Sequence, residues 1–380
     1  MKGGKVKITR VVLQQFRNLE QVELAPSEGV NILLGKNAQG KTNILEGMFA
    51  VAAGGSFRVS NERALVQKGK DFARAEVDFT DGRGEVKRGE MIWVMEGGFV
   101  RKTGKLNGAA AQRTTIVGQM PVVLFSPEDI DLIRLSPQKR RKFMDLLIAR
   151  FDMEYGQDIS DYWKILRQRN QLLLMIKQGR SEEGELDVWD EKLSEAGSRI
   201  VVKRQKVMEE VGSLANKHYH EWFGELGDEL KISYVPNLNF VTPKMYMAGL
   251  GGARQIDIAR ANTAKGIHRD DLMFILNGSD MRVAASRGEF RSAVMALKLA
   301  EAEILKNKVG EPPVYLLDDI FSELDEERRS KLAGVLKNEQ VFITTSNETV
   351  ERLFDSPVVF VVEGGRVVSS IPVFPSVIPA

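Results

Sequence analysis

No cysteine occurs among the 380 residues, which excludes disulfides and thiolate metal sites. Histidine is almost as scarce: His218, His220 and His268 are too few and too dispersed to form a convincing metal cluster. Neither sign of charge dominates, with 54 Lys plus Arg against 52 Asp plus Glu. The overall balance therefore argues neither for nor against a polyanionic partner, and any such contact must come from local patches. No apolar run approaches the ~18 residues needed to span a bilayer. The basic opening MKGGKVKITR leads into alternating residues instead of an apolar core, so no signal peptide is expected and the expected address is the cytoplasm. No internal repeat or low-complexity segment is visible. What remains is a chain, 43% hydrophobic, long enough for two or three structural units with a sizeable core.

Residues 1–35 read as strands: KVKITRVVLQQF, then VELAP, then the apolar VNILL that ends at Gly35. Thr42 to Ala53 reads as a helix. From about 72 to 125 short strands alternate with the turns Asp81-Gly82, Gly97-Gly98 and Asn107-Gly108, ending in PVVLF. The character then changes. Ser136-Pro137 is read as an N-cap with proline at the first helical position, opening the helix QKRRKFMDLLIARF. Two long charged helical stretches follow, roughly 154–178 and 186–223, joined by GRSEEGE. In the second, Leu193, Ala196, Ile200, Val207, Val211 and Leu214 recur at helical spacing, which predicts a hairpin packed along one seam. At 1.5 Å per residue the longer helix reaches roughly 55 Å, too short for a long coiled-coil arm. Strand signals return near 231, and the Asn277-Gly278 turn leads to Ser286. A helix with Phe290, Val294, Leu297 and Ile304 on one face follows, then VYLLDD, another helix and VFITTS. The expected fold class is α/β: one nucleotide-binding head split into 1–127 and 263–380, with a helical arm, 128–262, inserted between.

Gly35-Lys36-Asn37-Ala38-Gln39-Gly40-Lys41-Thr42, followed by Asn43, satisfies the P-loop pattern. Its glycines let the backbone wrap a phosphate at a helix N-terminus. Lys41 is expected to reach the β- and γ-phosphates of ATP, and the Thr42 hydroxyl to ligate Mg²⁺. Asp318-Asp319 closes the apolar strand VYLL. The first carboxylate can hold the Mg²⁺ shell and the second can orient or deprotonate water. Asp325, in the following SELD, is expected at a subunit interface, at a plain helix N-cap, or both. Ser286-Arg287-Gly288-Glu289 opens a helix. Its hydroxyl, glycine N–H and helix dipole suit a γ-phosphate held by a second copy of the chain, while the bland reading is a Ser-x-x-Glu capping box. Gln119, ahead of PVVLF, is a further candidate for the Mg²⁺ shell. After the last core strand stand Thr344-Thr345-Ser346, so any γ-phosphate sensor there is a hydroxyl. The best basic clusters for DNA phosphate are Lys139-Arg140-Arg141-Lys142 and Arg199 with Lys203, Arg204 and Lys206, although such charge is usually a solvated helix face.

These stretches, with FRNLEQVEL, LFSPEDIDLIRLSPQKRRKFMD, GIHRDDLMFILNG and SRGEFRSAVMALKLAE, resemble the bacterial RecF family of SMC-like ABC ATPases over nearly the whole chain. SPQKRRKFMD and HRDDL discriminate it from other SMC-like heads. The resemblance implies an SMC/Rad50-like head of mixed sheets in two lobes with a short helical arm. It also implies ATP and Mg²⁺ as cofactors, ATP-dependent homodimerisation, DNA binding at gaps or single-strand/double-strand junctions, and slow DNA-stimulated ATPase activity. Action with RecR and RecO in helping RecA onto single-stranded DNA, within the response to DNA damage, follows from it too. Arg58 resembles an arginine that such heads place near nucleotide or DNA. Glu289 stands where the family signature usually has Gln, and its carboxylate is expected to turn aside from the γ-phosphate.

Other readings fit less well. A transporter-type ATPase subunit usually keeps a Gly-Gly signature and a switch histidine, and this chain has neither. A nuclease-coupled SMC-like ATPase should carry a further acidic domain, for which the chain leaves no room. A small GTPase needs an aspartate to read guanine, and Asn216-Lys217-His218-Tyr219 supplies none.

Overall fold

The computed structural model describes residues 4–59, 61–135, 137–223, 228–238 and 242–372. The chain folds into two compact units, Met1–Asp129 with Glu301–Ala380, and Ile130–Ala300.

The first unit holds two sheets. Strands β1 (Lys7–Phe16), β2 (Leu19–Leu24), β4 (Phe72–Thr80), β5 (Val86–Glu96), β6 (Phe99–Leu106) and β7 (Ala109–Ala111) form an antiparallel sheet, ordered β2-β1-β4-β5-β6-β7. The other sheet takes β3 (Val30–Leu34), β8 (Val122–Phe125), β12 (Val314–Asp318), β13 (Val341–Thr345), β14 (Val358–Glu363) and β15 (Arg366–Pro372), ordered β15-β14-β3-β13-β12-β8. All but β15 run parallel there. The uninterrupted apolar runs VVLF and VYLL belong to strands buried on both faces, as a covered parallel sheet requires.

The helix Lys41–Ala53 lies against strands of both sheets and is buried on nearly every side. Each of its large apolar side chains, Ile44, Leu45, Met48 and Phe49, contributes roughly 1.5–3 kcal/mol by leaving water. Gly47 permits the close approach, because a Cβ there would stand 2.4 Å from Leu13 of β1. Buried Gln340 ties the sheets together. Its amide donates to the Ile8 and Ser27 carbonyls, both at 2.8 Å, and accepts from the Ile8 N–H at 2.7 Å.

The second unit is mainly helical. The two long helices run Met153–Lys177 and Leu186–Trp222, close to the expected stretches. Leu193, Ala196, Ile200, Val207 and Val211 are buried along the seam and Leu214 is half-buried. The helix Pro137–Ala149 is present, while Ser136, its expected cap, lies outside the described residues. Residues 263–300 fall with this unit and not with the head. The reason is pairing: β10 (Asp271–Leu276) adds antiparallel to β9 (Leu230–Val235), with β11 (Ser279–Asp280) beyond it. Asn277 and Gly278 make the β10–β11 turn at φ 51° and 77°, the left-handed pair that Asn-Gly favours.

Buried ion pairs organise this unit. Arg169 is fully buried between Asp190 at 2.6 Å and Asp257 at 2.7 Å. His268, Asp270 and Asp271 of the HRDD stretch are its other anchors. His268 Nε2–H donates to the Thr263 carbonyl at 2.9 Å, which fixes the tautomer, and Nδ1 accepts from the Tyr162 hydroxyl at 2.9 Å. Among the described residues no helix is long and apolar enough to cross a membrane.

Candidate functional site

The parallel register sets the site. Leu34 pairs with Thr345, and Asp318 with Thr344, so β3, β13 and β12 end side by side. In an open α/β sheet, ligands sit beyond such carboxyl ends. The loop after β3 turns sharply, with Ala38 at φ 64° and Gly40 at φ 112°. A Cβ on Gly35 would stand 2.3 Å from the Val362 carbonyl oxygen, and one on Gly40 2.7 Å from Leu19. Glycine is therefore the residue that fits at both places. The crest is pinned by the β14–β15 turn, where Gly364 N–H donates to Gln39 Oε1 at 2.6 Å and Gly365 N–H to the Gln39 carbonyl at 3.0 Å. The free N–H groups opening the helix Lys41–Ala53 follow, a ready anion site.

Lys41 is 7% exposed, and its ammonium donates to the Gly35 and Lys36 carbonyls at 2.6 and 2.8 Å. Burial pulls its pKa below the ordinary lysine value. The Thr42 and Thr344 hydroxyls both donate to Asp318 Oδ1, each at 2.7 Å. Burial raises the Asp318 carboxyl above its usual range, and the two hydroxyl bonds oppose that rise. Asp319 has a left-handed backbone, φ 51° and ψ 24°. Its N–H donates to Thr344 Oγ1 at 2.9 Å, while its own Oδ1 is buried without a hydrogen-bond partner. An orphaned buried carboxylate oxygen costs free energy unless a ligand or water completes it.

Lys41, Thr42, Thr344 and Asp319 meet at a cavity of about 800 Å³, with Asp318 behind its lining. Asn37, Ala38, Gly40, Lys41, Thr42 and Asn43 of the P-loop line it, with Arg58, Asp319 and Thr344. Gln119, whose N–H bonds to the Ile116 carbonyl at 3.1 Å, is not among the lining residues. Arg17, Asn18, Ala64, Val66 and Lys68 line it too and were not singled out by sequence reasoning. The available signal was the turn FRN, where Arg17 takes φ 60°. Arg17 is held by the fully buried Glu46 through bonds of 2.9 and 2.7 Å. Arg58 donates to Asn43 Oδ1 at 3.0 Å and stands 3.7 Å from Glu46. One buried carboxylate thus positions two guanidiniums at the cavity.

Ser286, Arg287 and Gly288 are exposed on the second unit, at the start of the helix Arg287–Val309. Glu289 folds back: its carboxylate accepts from the Ser286 N–H at 2.6 Å, and Ser286 Oγ accepts from the Glu289 N–H at 3.3 Å. That is a capping box. The Ser286 hydrogen bonds hold the Glu289 carboxyl below its ordinary pKa. Asp325 caps the helix Glu326–Leu336 by accepting from the Arg328 N–H at 2.9 Å.

The basic clusters need correction. Arg140 and Arg204 are each 1% exposed. Arg140 grips Asp271 with bonds of 2.6 and 3.0 Å, and Arg204 is shared between Asp145 and Asp270, both at 2.7 Å. Neither guanidinium is available to a DNA phosphate, because each is itself buried, and freeing Arg204 would strand the buried Asp270. Lys139 is paired with Asp131 at 2.6 Å, Lys203 with Asp152 and Glu154, and Arg141 donates to the Asp270 carbonyl at 2.8 Å. The discriminating stretches SPQKRRKFMD and HRDDL therefore meet as the packing of the second unit.

The family model described as the RecF/RecN/SMC N terminal domain matches residues 7–366. The DNA replication and repair protein RecF of Alkaliphilus oremlandii (strain OhILAs) is 35% identical over 370 residues, spanning 95% of this chain and 99% of that one. Its counterpart from Geobacillus thermodenitrificans (strain NG80-2) is 34% identical over 351 residues, spanning 90% and 92%. A solved structure of the recombination mediator protein RecF-ATP in the RecFOR pathway superposes with a TM-score of 0.89 at 31% identity, covering 98% of each chain. The Smc head domain from Pyrococcus furiosus, at 17% identity and a TM-score of 0.55 over 97% and 96%, shares the fold alone. The fold is that of an SMC-like ABC ATPase head, and the chain belongs to the RecF family of DNA replication and repair proteins.

Proposed function

We propose that the cavity binds and slowly hydrolyses ATP, and that two copies of the chain share the nucleotide while gripping DNA near a gap or a single-strand/double-strand junction. The observation that carries this reading is the convergence of Lys41, Thr42 and Asp319, whose Oδ1 has no partner, on the lining of one cavity, with Asp318 bonded to Thr42 just behind it. Lys41 leaves its two carbonyls for the β- and γ-phosphates. Asp319, with an acceptor already buried and unsatisfied, orients or deprotonates the attacking water. Ser286 and Gly288 of one copy contact the γ-phosphate held by the other, and Asp325 lies at that junction.

The oxygen donors of Thr42 and Asp318 suit Mg²⁺, a hard cation that favours such ligands. When bound, the ion supplies positive charge against the phosphate oxygens. The carboxylate pair alone would repel a polyphosphate, so the donor set fits a cation that arrives with it.

Relatives bearing the name DNA replication and repair protein RecF support a repair role; stimulation by DNA and a cytoplasmic setting belong to the same proposal. A neighbour described as a recombination mediator in the RecFOR pathway supports a recombination role with RecR and RecO as partners; we extend this role to helping RecA onto single-stranded DNA. The test pairs two variants. Lys41→Ala should weaken binding of a fluorescent ATP analogue by about 10- to 100-fold, the worth of the charge-assisted bonds removed. Asp319→Asn should bind normally and hydrolyse slowly. Normal hydrolysis in Asp319→Asn removes Asp319 from its role.

A further inference from the structure

Thr344 stands between the two acidic residues in a way that the chemistry of its single hydroxyl makes directional. The Asp319 N–H can only donate, so at 2.9 Å it occupies a lone pair of Thr344 Oγ1. The Thr344 proton is then committed to Asp318 Oδ1 at 2.7 Å. Thr344 is 1% exposed, so both bonds are largely shielded from bulk water. Its register beside Asp318 in the parallel pair β12–β13 keeps the hydroxyl there.

The bond to Asp319 has a second consequence. A non-glycine residue at φ 51° occupies a sparsely populated backbone region, which persists only where the surroundings hold it. Asp319 is held at both ends of its peptide. Its N–H meets Thr344 Oγ1 and, at 3.2 Å, the Thr344 carbonyl, while its own carbonyl accepts from the Ser322 hydroxyl at 2.7 Å. That conformation accompanies the burial of the unpartnered Asp319 Oδ1.

We infer that Thr344 is a positioning residue for ATP hydrolysis, whose hydroxyl clamps the Asp319 backbone in its left-handed conformation and at the same time orients the Asp318 carboxylate. This rests on the reading of Asp319 as the group that acts on the attacking water. Thr344 also lines the cavity, but this role does not need it to touch the reacting atoms. It acts through the two aspartates, linking the geometry of one to the other.

The test compares Thr344→Val, which keeps the shape and removes the hydroxyl, with Thr344→Ser, which keeps the hydroxyl. Two readouts are taken. In the nucleotide-free protein, hydrogen exchange of the peptide containing Asp319 should quicken by roughly tenfold in Thr344→Val and stay near wild type in Thr344→Ser. With Mg-ATP, Thr344→Val should lose about 10- to 100-fold in kcat, with affinity for a fluorescent ATP analogue within about threefold of wild type, and Thr344→Ser should restore the rate. Unchanged exchange and rate in Thr344→Val would overturn the clamp. So would Thr344→Ser behaving as badly as Thr344→Val, or a loss of ATP affinity as large as the loss of rate. A wild-type protein that fails to bind ATP would instead sink the nucleotide reading, and the exchange measurement would still decide whether the Thr344 hydroxyl holds Asp319.

Discussion

Thr42 and Asp318 lie 276 positions apart in the chain, yet the Thr42 hydroxyl donates to Asp318 Oδ1 at 2.7 Å. Strand β13, between β3 and β12 in the sheet, makes this possible and delivers Thr344 to the same oxygen. The parallel register thus brings the donors and acceptors of the site together. Preformed donors and acceptors avoid reorganisation when charge develops on the nucleotide.

Arg204 gives the sharpest stability prediction. Arg204→Ala leaves Asp270, itself fully buried, and Asp145 without their guanidinium. Removing one partner of a buried pair costs about 3–5 kcal/mol, which should lower Tm by roughly 10 °C. Lys139→Ala, at a half-exposed pair, should change stability by under about 1 kcal/mol. A normally stable Arg204→Ala protein with selectively weakened DNA binding would return Arg204 to the DNA surface.

How much of this was legible in the chain differs by region. The P-loop, the acidic strand end and the long helices follow from local pattern, because glycine spacing, apolar runs and helical periodicity are set by near neighbours. The fate of the basic clusters does not. SPQKRRKFMD reads as a charged helix face until Asp271 is known to meet Arg140 across 131 positions. The same holds for residues 263–300, whose place is decided by β10 pairing with β9. Arg17 was hidden for a related reason: its partner Glu46 sits inside a helix that looks uniformly apolar around it.

His268 predicts a pH dependence. Burial, with Arg269, Arg141 and Arg169 nearby and the Thr263 carbonyl opposing them, depresses its pKa from 6.5 to about 4. The folded state therefore holds the neutral ring, and the unfolded chain binds the proton more readily. Stability from this group is complete above about pH 6.5, declines as pH falls towards 4, and levels off below. The loss amounts to about 3 kcal/mol. Urea unfolding of wild type and His268→Gln across that window should show a shallower slope in the variant. Equal slopes would mean that His268 titrates normally.

Glu289 tests the shared-nucleotide proposal from the opposite side. Gln can keep the bond to the Ser286 N–H while removing a negative charge from the helix start. Glu289→Gln should tighten the Mg-ATP dimer by about fivefold, the worth of one exposed charge interaction. An unchanged dimerisation constant would show that the folded-back carboxylate stays clear of the partner's nucleotide.

The most direct measurement is sedimentation of the protein with labelled gapped duplex DNA, in Mg-ATP and in Mg-ADP at one fixed salt concentration, since phosphate contacts weaken as salt rises. A DNA-bound dimer that forms with ATP and not with ADP is the predicted result. A monomer that ignores both nucleotide and DNA would contradict the ATP-driven clamp.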